Sequence, residues 1–232
     1  MLILVGGQKG GGGKTTMATN IATMLIRDGR DVHLYDIDPQ RTATLWASRR
    51  DEHQELILQR ISSSQKVLDK RTINVGAVIR NELLAMRSRY EDMVIDAGGA
   101  DNEALRAAMS LANIAIFPII PSEFDMWTFD TLSNLVASSQ GRDQKLVAKI
   151  LLNKVNTNPL TAKKEIDDCD DFLSDFNNLE RFNGFVSERV SIRRASGKGM
   201  GIIEYKPIDM RAVEEINTIY EEIMNERVRA EA

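Results

Sequence analysis

Gln8-Lys9-Gly10-Gly11-Gly12-Gly13-Lys14-Thr15-Thr16 follows directly on the apolar stretch Leu2 to Val5. Read in order, these residues are a strand, a glycine loop closing on Gly-Lys-Thr, and the start of a helix. Successive glycines let backbone N–H groups curl around phosphate oxygens, Lys14 can reach the β- and γ-phosphates, and the Thr15 hydroxyl can hold Mg²⁺. Gly10, Gly11, Gly12, Gly13, Lys14, Thr15 and Thr16 are therefore the candidate nucleotide-binding residues. A flexible linker would explain the glycines, but not the strand pattern before them or the helix pattern after them. The loop departs from the usual phosphate-binding form in two ways. Gln8 stands where the first glycine is expected, and a second lysine, Lys9, precedes the glycines.

A lysine at position 9 is surplus to binding one nucleotide, because Lys14 and the metal already neutralise much of the triphosphate. Lys-Gly-Gly-x-Gly-Lys-Thr-Thr resembles the deviant Walker A loop of the ParA/MinD ATPases, in which the extra lysine crosses a dimer interface to the partner's nucleotide. The resemblance implies ATP and Mg²⁺ as cofactors, a homodimer formed on ATP binding, and catalytic roles for Lys14 in its own site and Lys9 in the partner's.

Two further motifs agree. In Tyr35-Asp36-Ile37-Asp38-Pro39-Gln40, Pro39 has no N–H and pushes Asp38 toward extended geometry, so a strand should end here with its aspartates at the carboxyl end, where open α/β sheets bind ligands. The resemblance makes this segment switch I, with Asp38 near the metal and polarising the attacking water, and Asp36 supporting the metal from further out. Met93-Val94-Ile95-Asp96-Ala97-Gly98-Gly99 is an apolar strand ending in aspartate, the Walker B arrangement, in which Asp96 stabilises the magnesium shell. Asp101 is placed to cap the helix that follows. Phe117 to Asp125 resembles the family's proline-containing segment near the dimer face, and Asn153 resembles its adenine-contacting asparagine.

Apolar strand-like runs alternate with helical periodicities along the chain, the pattern of a mostly parallel, twisted sheet with helices on both faces. The expectation is one P-loop NTPase domain over residues 1–232. Strands are expected at Val32 to Tyr35, Met93 to Ile95, Ile114 to Phe117 and Leu146 to Leu152. Helices are expected at Thr42 to Asp51, Ile73 to Arg89, Asp125 to Ser138 and Ala162 to Phe176. The final helix should carry Val213, Ile216, Ile219, Tyr220 and Ile223 as one stripe, while Glu52 to Ser88 contributes little to the resemblance.

The 232 residues carry a net charge of −4 and a single cysteine. Cys169, set in Asp167-Asp168-Cys169-Asp170-Asp171, reads as a surface bystander, because neighbouring carboxylates disfavour a thiolate. One cysteine is too few for an iron–sulfur ATPase. The absence of an export signal or an apolar run of ~20 residues points to the cytoplasm and away from membrane. The polar end Asn225 to Ala232 lacks the basic amphipathic anchor of MinD-like proteins. The loop also lies too near Met1 for a preceding helix-turn-helix domain.

The acidic balance leaves only a local patch to attract nucleic acid. Arg189, Arg193, Arg194 and Lys198, in the stretch Glu188 to Lys198, resemble the family's region that binds DNA without sequence preference. The expected protein is thus most like a small plasmid-partition ParA on the nucleoid: an ATPase binding non-specific DNA and stimulated by a ParB-like, centromere-bound partner. The same motifs also allow a ParA/MinD-like ATPase that positions a protein cluster or division-site complex. From another class, they allow a dethiobiotin-synthetase-like enzyme that phosphorylates a small acceptor.

Overall fold

The structure, a computed structural model, describes residues 1–53, 61–66, 73–99, 102–139 and 146–231. The chain alternates strands and helices. β1 (Leu2–Val5), α1 (Lys14–Arg27), β2 (Val32–Asp36), α2 (Thr42–Asp51), β3 (Ser62–Gln65), α3 (Val75–Arg87), β4 (Asp92–Asp96), α4 (Glu103–Met109) and β5 (Ile114–Ile119) form its first half. There follow α5 (Glu123–Met126), α6 (Phe129–Ser139), β6 (Val147–Val155), α7 (Pro159–Leu173), β7 (Glu180–Arg181), β8 (Val186–Ser187), α8 (Val190–Gly197) and α9 (Met210–Glu231). The strand order is β3-β2-β4-β1-β5-β6-β7, with β8 also on β6. Among the described residues every pairing is parallel.

Side chains alternate across a strand, and β1 shows what this does. Leu2 and Leu4 enter the core under α3, α4, α6 and α7, whereas Ile3 and Val5 enter the core under α1, α2, α8 and α9. A strand buried on both faces reads as a continuous apolar run, which is why Leu2 to Val5 was legible. Parallel strands also bring the carboxyl ends of β1, β2, β4 and β6 to one edge. That edge carries the glycine loop, Asp38, Gly98 and Lys154.

The structure adds an element the sequence did not announce and corrects several expectations. β3 is a strand of serines without an apolar pattern; it holds the sheet edge because Ser62 and Ser64 hydroxyls bond the two ring nitrogens of buried His33 at 2.9 and 2.7 Å. The helix expected from Asp125 to Ser138 is two helices. The Ser122 side chain caps the first, and Thr128 Oγ1 turns back to the Asp125 carbonyl at 2.6 Å, closing it before Phe129. α7 starts earlier than expected, on Pro159, because the Asn158 side chain accepts from the Leu160 and Thr161 N–H groups. Asp101 lies outside the described residues, and Asn102 caps α4 by accepting the Leu105 N–H at 2.9 Å.

Cys169 is fully buried in the core with Ala162 and Leu173, not at the surface. Its thiol is pushed up to about 12, chiefly by burial and further by Asp170. The carboxylates flanking it in sequence project from the other side of α7. The periodicity of Ala162, Ile166, Cys169 and Leu173 decides the matter, not the local composition.

Candidate nucleotide site

The strand ends enclose a cavity of about 570 Å³, walled by the glycine loop, Lys14, Thr15, Thr16, Asp38, Thr42, Gly98, Gly99, Asn102, Lys154 and Arg193. The loop is shaped from beneath. Gly13 has φ 92°, and a Cβ there would lie 2.1 Å from Asn153 Nδ2, so no side chain fits. Asn153 itself is buried and donates to the Gly12 carbonyl at 2.7 Å. Its observed contact is therefore with the loop backbone, which it braces. Lys154, at φ 59°, reaches over the rim and donates to the Gly11 carbonyl at 2.7 Å.

Lys14 is almost wholly buried and donates to the Lys9 carbonyl at 2.6 Å. Burial lowers its affinity for a proton, and the carboxylates of Asp96 and Asp38 oppose that shift. Lys9 behaves differently. Its side chain is half exposed, forms no part of the cavity wall, and pairs with Asp125 at 2.8 Å on α5. Asp125 also accepts from Ser122 Oγ at 3.2 Å. The Lys9 peptide is closely approached by the loop after β4: a Cβ on Gly99 would lie 2.9 Å from the Lys9 carbonyl carbon.

The acidic side chains divide into two kinds. Asp36 is buried and fully engaged: Oδ1 accepts the Asp38 N–H at 3.0 Å, and Oδ2 accepts the Thr44 N–H and hydroxyl at 2.8 and 2.9 Å. It holds the switch I turn and stands back from the cavity. Asp38 lines the cavity and lies against Gly98, with Oδ1 accepting the Gln40 N–H at 2.8 Å. Asp96 is buried, and Oδ2 accepts the Thr15 hydroxyl at 2.7 Å, while Oδ1 has no hydrogen-bond partner. Its carboxyl is pushed up to about 7 by burial and by the like charges of Asp36 and Asp38. An orphaned, buried carboxylate oxygen beside a threonine hydroxyl is the donor set a magnesium ion with its water shell would satisfy. Among the described residues no group of three or more His, Cys, Asp or Glu could hold a metal ion alone.

The four basic residues of the expected DNA patch do not act as one surface. Arg189 is turned inward, its guanidinium bound by both carboxylate oxygens of Glu215 at 2.7 to 3.2 Å. It is held in an ion pair, so less of its charge faces outward than the sequence leads one to expect. Arg194 and Lys198 are exposed on the outer side of α8, with Lys198 lying 5.4 Å from the centre of the Tyr205 ring. Arg193 is in the cavity wall. Asp125, Lys154 and Arg193 are brought to the site or its rim by the fold, without a role there expected from the sequence. Only Lys154, adjacent to Asn153 at a strand end, carried a local signal.

A strand, a glycine loop on a helix start, and strand-end aspartates around one cavity define a P-loop nucleoside triphosphatase. Residues 3–202 match the family of the CobQ/CobB/MinD/ParA nucleotide binding domain, and the chain belongs to it. It is accordingly an ATPase. It is 24% identical to the maintenance of carboxysome distribution protein A of Halothiobacillus neapolitanus, over 96% of this chain and 95% of that one. It is 25% identical to the protein ParA of Rhizobium radiobacter, over 67% of this chain and 65% of that one. Its fold is similar to that of a plasmid partition protein of Borrelia burgdorferi bound to AMPPNP, with a TM-score of 0.67, 17% identity, and coverage of 99% and 98% of the two chains. No described helix is long and apolar enough to cross a membrane.

Proposed function

We propose that this ATPase is a ParA-type partition switch whose ATP-bound form is a face-to-face homodimer. The observation that carries the reading is the division of labour between two lysines on one loop. Lys14 lies inside its own cavity, whereas Lys9 stands outside it on the half-exposed rim. That placement supports the role the ParA/MinD resemblance gives Lys9, contact with the partner's nucleotide across an interface. Thr15, and Asp96 through water, would hold Mg²⁺, which when bound supplies charge neutralisation on the phosphates. Asp38 orients the attacking water, Lys14 and the loop N–H groups bind the phosphates, and the partner's Lys9 completes the γ-phosphate environment.

In this reading the dimer rests on nucleoid DNA through Arg194 and Lys198, and a ParB-like partner stimulates hydrolysis and release. The likeness to a ParA and to a plasmid partition protein supports DNA as the cargo. The fuller coverage by a carboxysome distribution protein favours a second cargo, a protein compartment moved by the same switch.

The test is DNA binding with and without a non-hydrolysable ATP analogue, over a range of salt. Two outward cations per subunit give four per dimer, so log K should fall with log[salt] at a slope of about −3 to −4. Replacing Arg194 and Lys198 by alanine should flatten it for every DNA sequence alike. Binding that ignores nucleotide, or a slope unmoved by the double substitution, contradicts the DNA half of the proposal. Asp38→Ala should slow hydrolysis while nucleotide affinity survives; loss of affinity would contradict the role given to Asp38.

A further inference from the structure

Arg193 and Arg194 on α8 and Lys198 at its C-cap are three exposed cations within six residues, and the helix geometry sorts them. Arg194 and Lys198 are four apart and share a face. Arg193 belongs with Ser196 and Gly197, three and four residues on, and those two face α1 and α2, lining a cavity with Thr15, Thr16, Thr42 and Arg49. The face that carries Arg193 is therefore the face turned to the phosphate loop, and Arg193 lines the same 570 Å³ cavity as Lys14 and Thr16.

α8 is also tied by polar contacts at both ends. Glu215 binds Ser187 and Arg189, and the Ser191 hydroxyl donates to Asp209 at 2.6 Å. At the other end Arg49 donates to the Gly197 carbonyl at 2.6 Å, and buried Arg50 pairs with Glu204. The Arg193 charge is only loosely engaged by its neighbour, because Glu188 lies 3.7 Å away and both side chains are mostly exposed. We infer that Arg193 is a nucleotide-binding residue, set toward the nucleoside and its α-phosphate, and not part of a DNA surface.

The placement follows from the strands. β8 runs beside β6 and the Glu188 N–H bonds the Val155 carbonyl at 2.9 Å, so the first turn of α8 grows from the end of β6, beside Lys154. Asp38, given the attacking water in the proposed function, and Gly98 and Gly99 beside it follow β2 and β4, across β1 and β5, so on that reading the γ-phosphate lies at their end of the cavity. A guanidinium at the β6 end meets what ADP and ATP share. Adjacent residues of one helix would then read the nucleotide (Arg193) and the outside (Arg194). The second half of that statement rests on the proposed DNA reading; the first does not.

The test uses Arg193→Ala, Arg193→Lys and Arg194→Ala in the full chain, titrated with fluorescent ADP and ATP in the absence of DNA. Losing one charge-assisted contact should weaken ADP and ATP alike by about tenfold in Arg193→Ala. Arg193→Lys should recover part of this, and Arg194→Ala should match the parent protein. At saturating ATP, Arg193→Ala should keep the parent salt slope for DNA. Unchanged nucleotide affinity in Arg193→Ala, or loss confined to ATP, overturns the inference, as does a DNA salt slope flattened by about 2. If the parent protein binds no DNA at all, the DNA proposal fails while the nucleotide titration still decides Arg193.

Discussion

β4 begins and ends with a buried aspartate, and the two could hardly be more differently supplied. Asp92, at the amino end, is surrounded by the Met1 ammonium at 2.9 Å, Arg227 at 2.8 Å and the Arg30 guanidinium. Burial alone would raise its pKa, but these three cations hold it below the usual carboxylate range. Asp96, four residues on, has one hydroxyl on one oxygen and nothing on the other, and burial pushes it up. A buried charge is tolerable when it is paired and costly when it is not. Asp92 is thus part of the scaffold, tying β4 to the start of the chain and to α9. Asp96 stores an unmet demand for a cation at the end of the strand where the nucleotide binds.

Removing the charge at each end should separate the two roles. Asp92→Asn leaves three cations around a neutral amide and should cost about 3 kcal/mol of stability, read as a lowered urea midpoint, with nucleotide affinity unchanged in the folded protein. Because the folded pKa of Asp92 is depressed, its contribution is fully present above the unfolded value of 3.8 and is lost as pH falls through the lower folded value. The gap between parent and Asp92→Asn midpoints should be constant near neutrality and close in acid. Equal stability of the two proteins at pH 7 would break the comparison.

At the other end, Lys14→Ala removes the cation nearest Asp96 in the cavity and should lower nucleotide affinity by about a hundredfold, the effect of losing one phosphate-bound charge inside a low-dielectric site. Asp96→Asn should leave stability within about 1 kcal/mol of the parent, since a neutral amide replaces an under-satisfied charge, yet lower hydrolysis. A large loss of stability would make Asp96 structural after all. Cys169 is the smallest case and lies away from both ends. Its buried thiol should resist a disulfide reagent in the native protein and react on unfolding; prompt native labelling would place α7 wrongly.

How much of this was legible in the sequence follows the range of the interaction. The glycine loop, both strand-end aspartates and the helix Thr42 to Asp51 declare themselves locally, through an apolar run, a proline or a 3.6-residue period. β3 does not, because its reason for being a strand is His33, on another strand. Arg189 and Arg193 look alike in the sequence. One is consumed by Glu215, 26 residues away, and the other is delivered to the cavity by the pairing of β8 with β6. The Lys9 to Asp125 pair likewise joins residues that only the fold brings together.

The action of Lys9 across a subunit interface is tested most directly by light scattering of the parent protein and Lys9→Ala with Mg²⁺ and a non-hydrolysable ATP analogue. The parent should double in mass when the analogue is added. Lys9→Ala should bind the analogue with near-parent affinity, as measured by fluorescence titration, and remain at the mass of one chain. A Lys9→Ala protein that dimerises with the analogue as the parent does, or a parent protein that stays monomeric when saturated, would contradict the account.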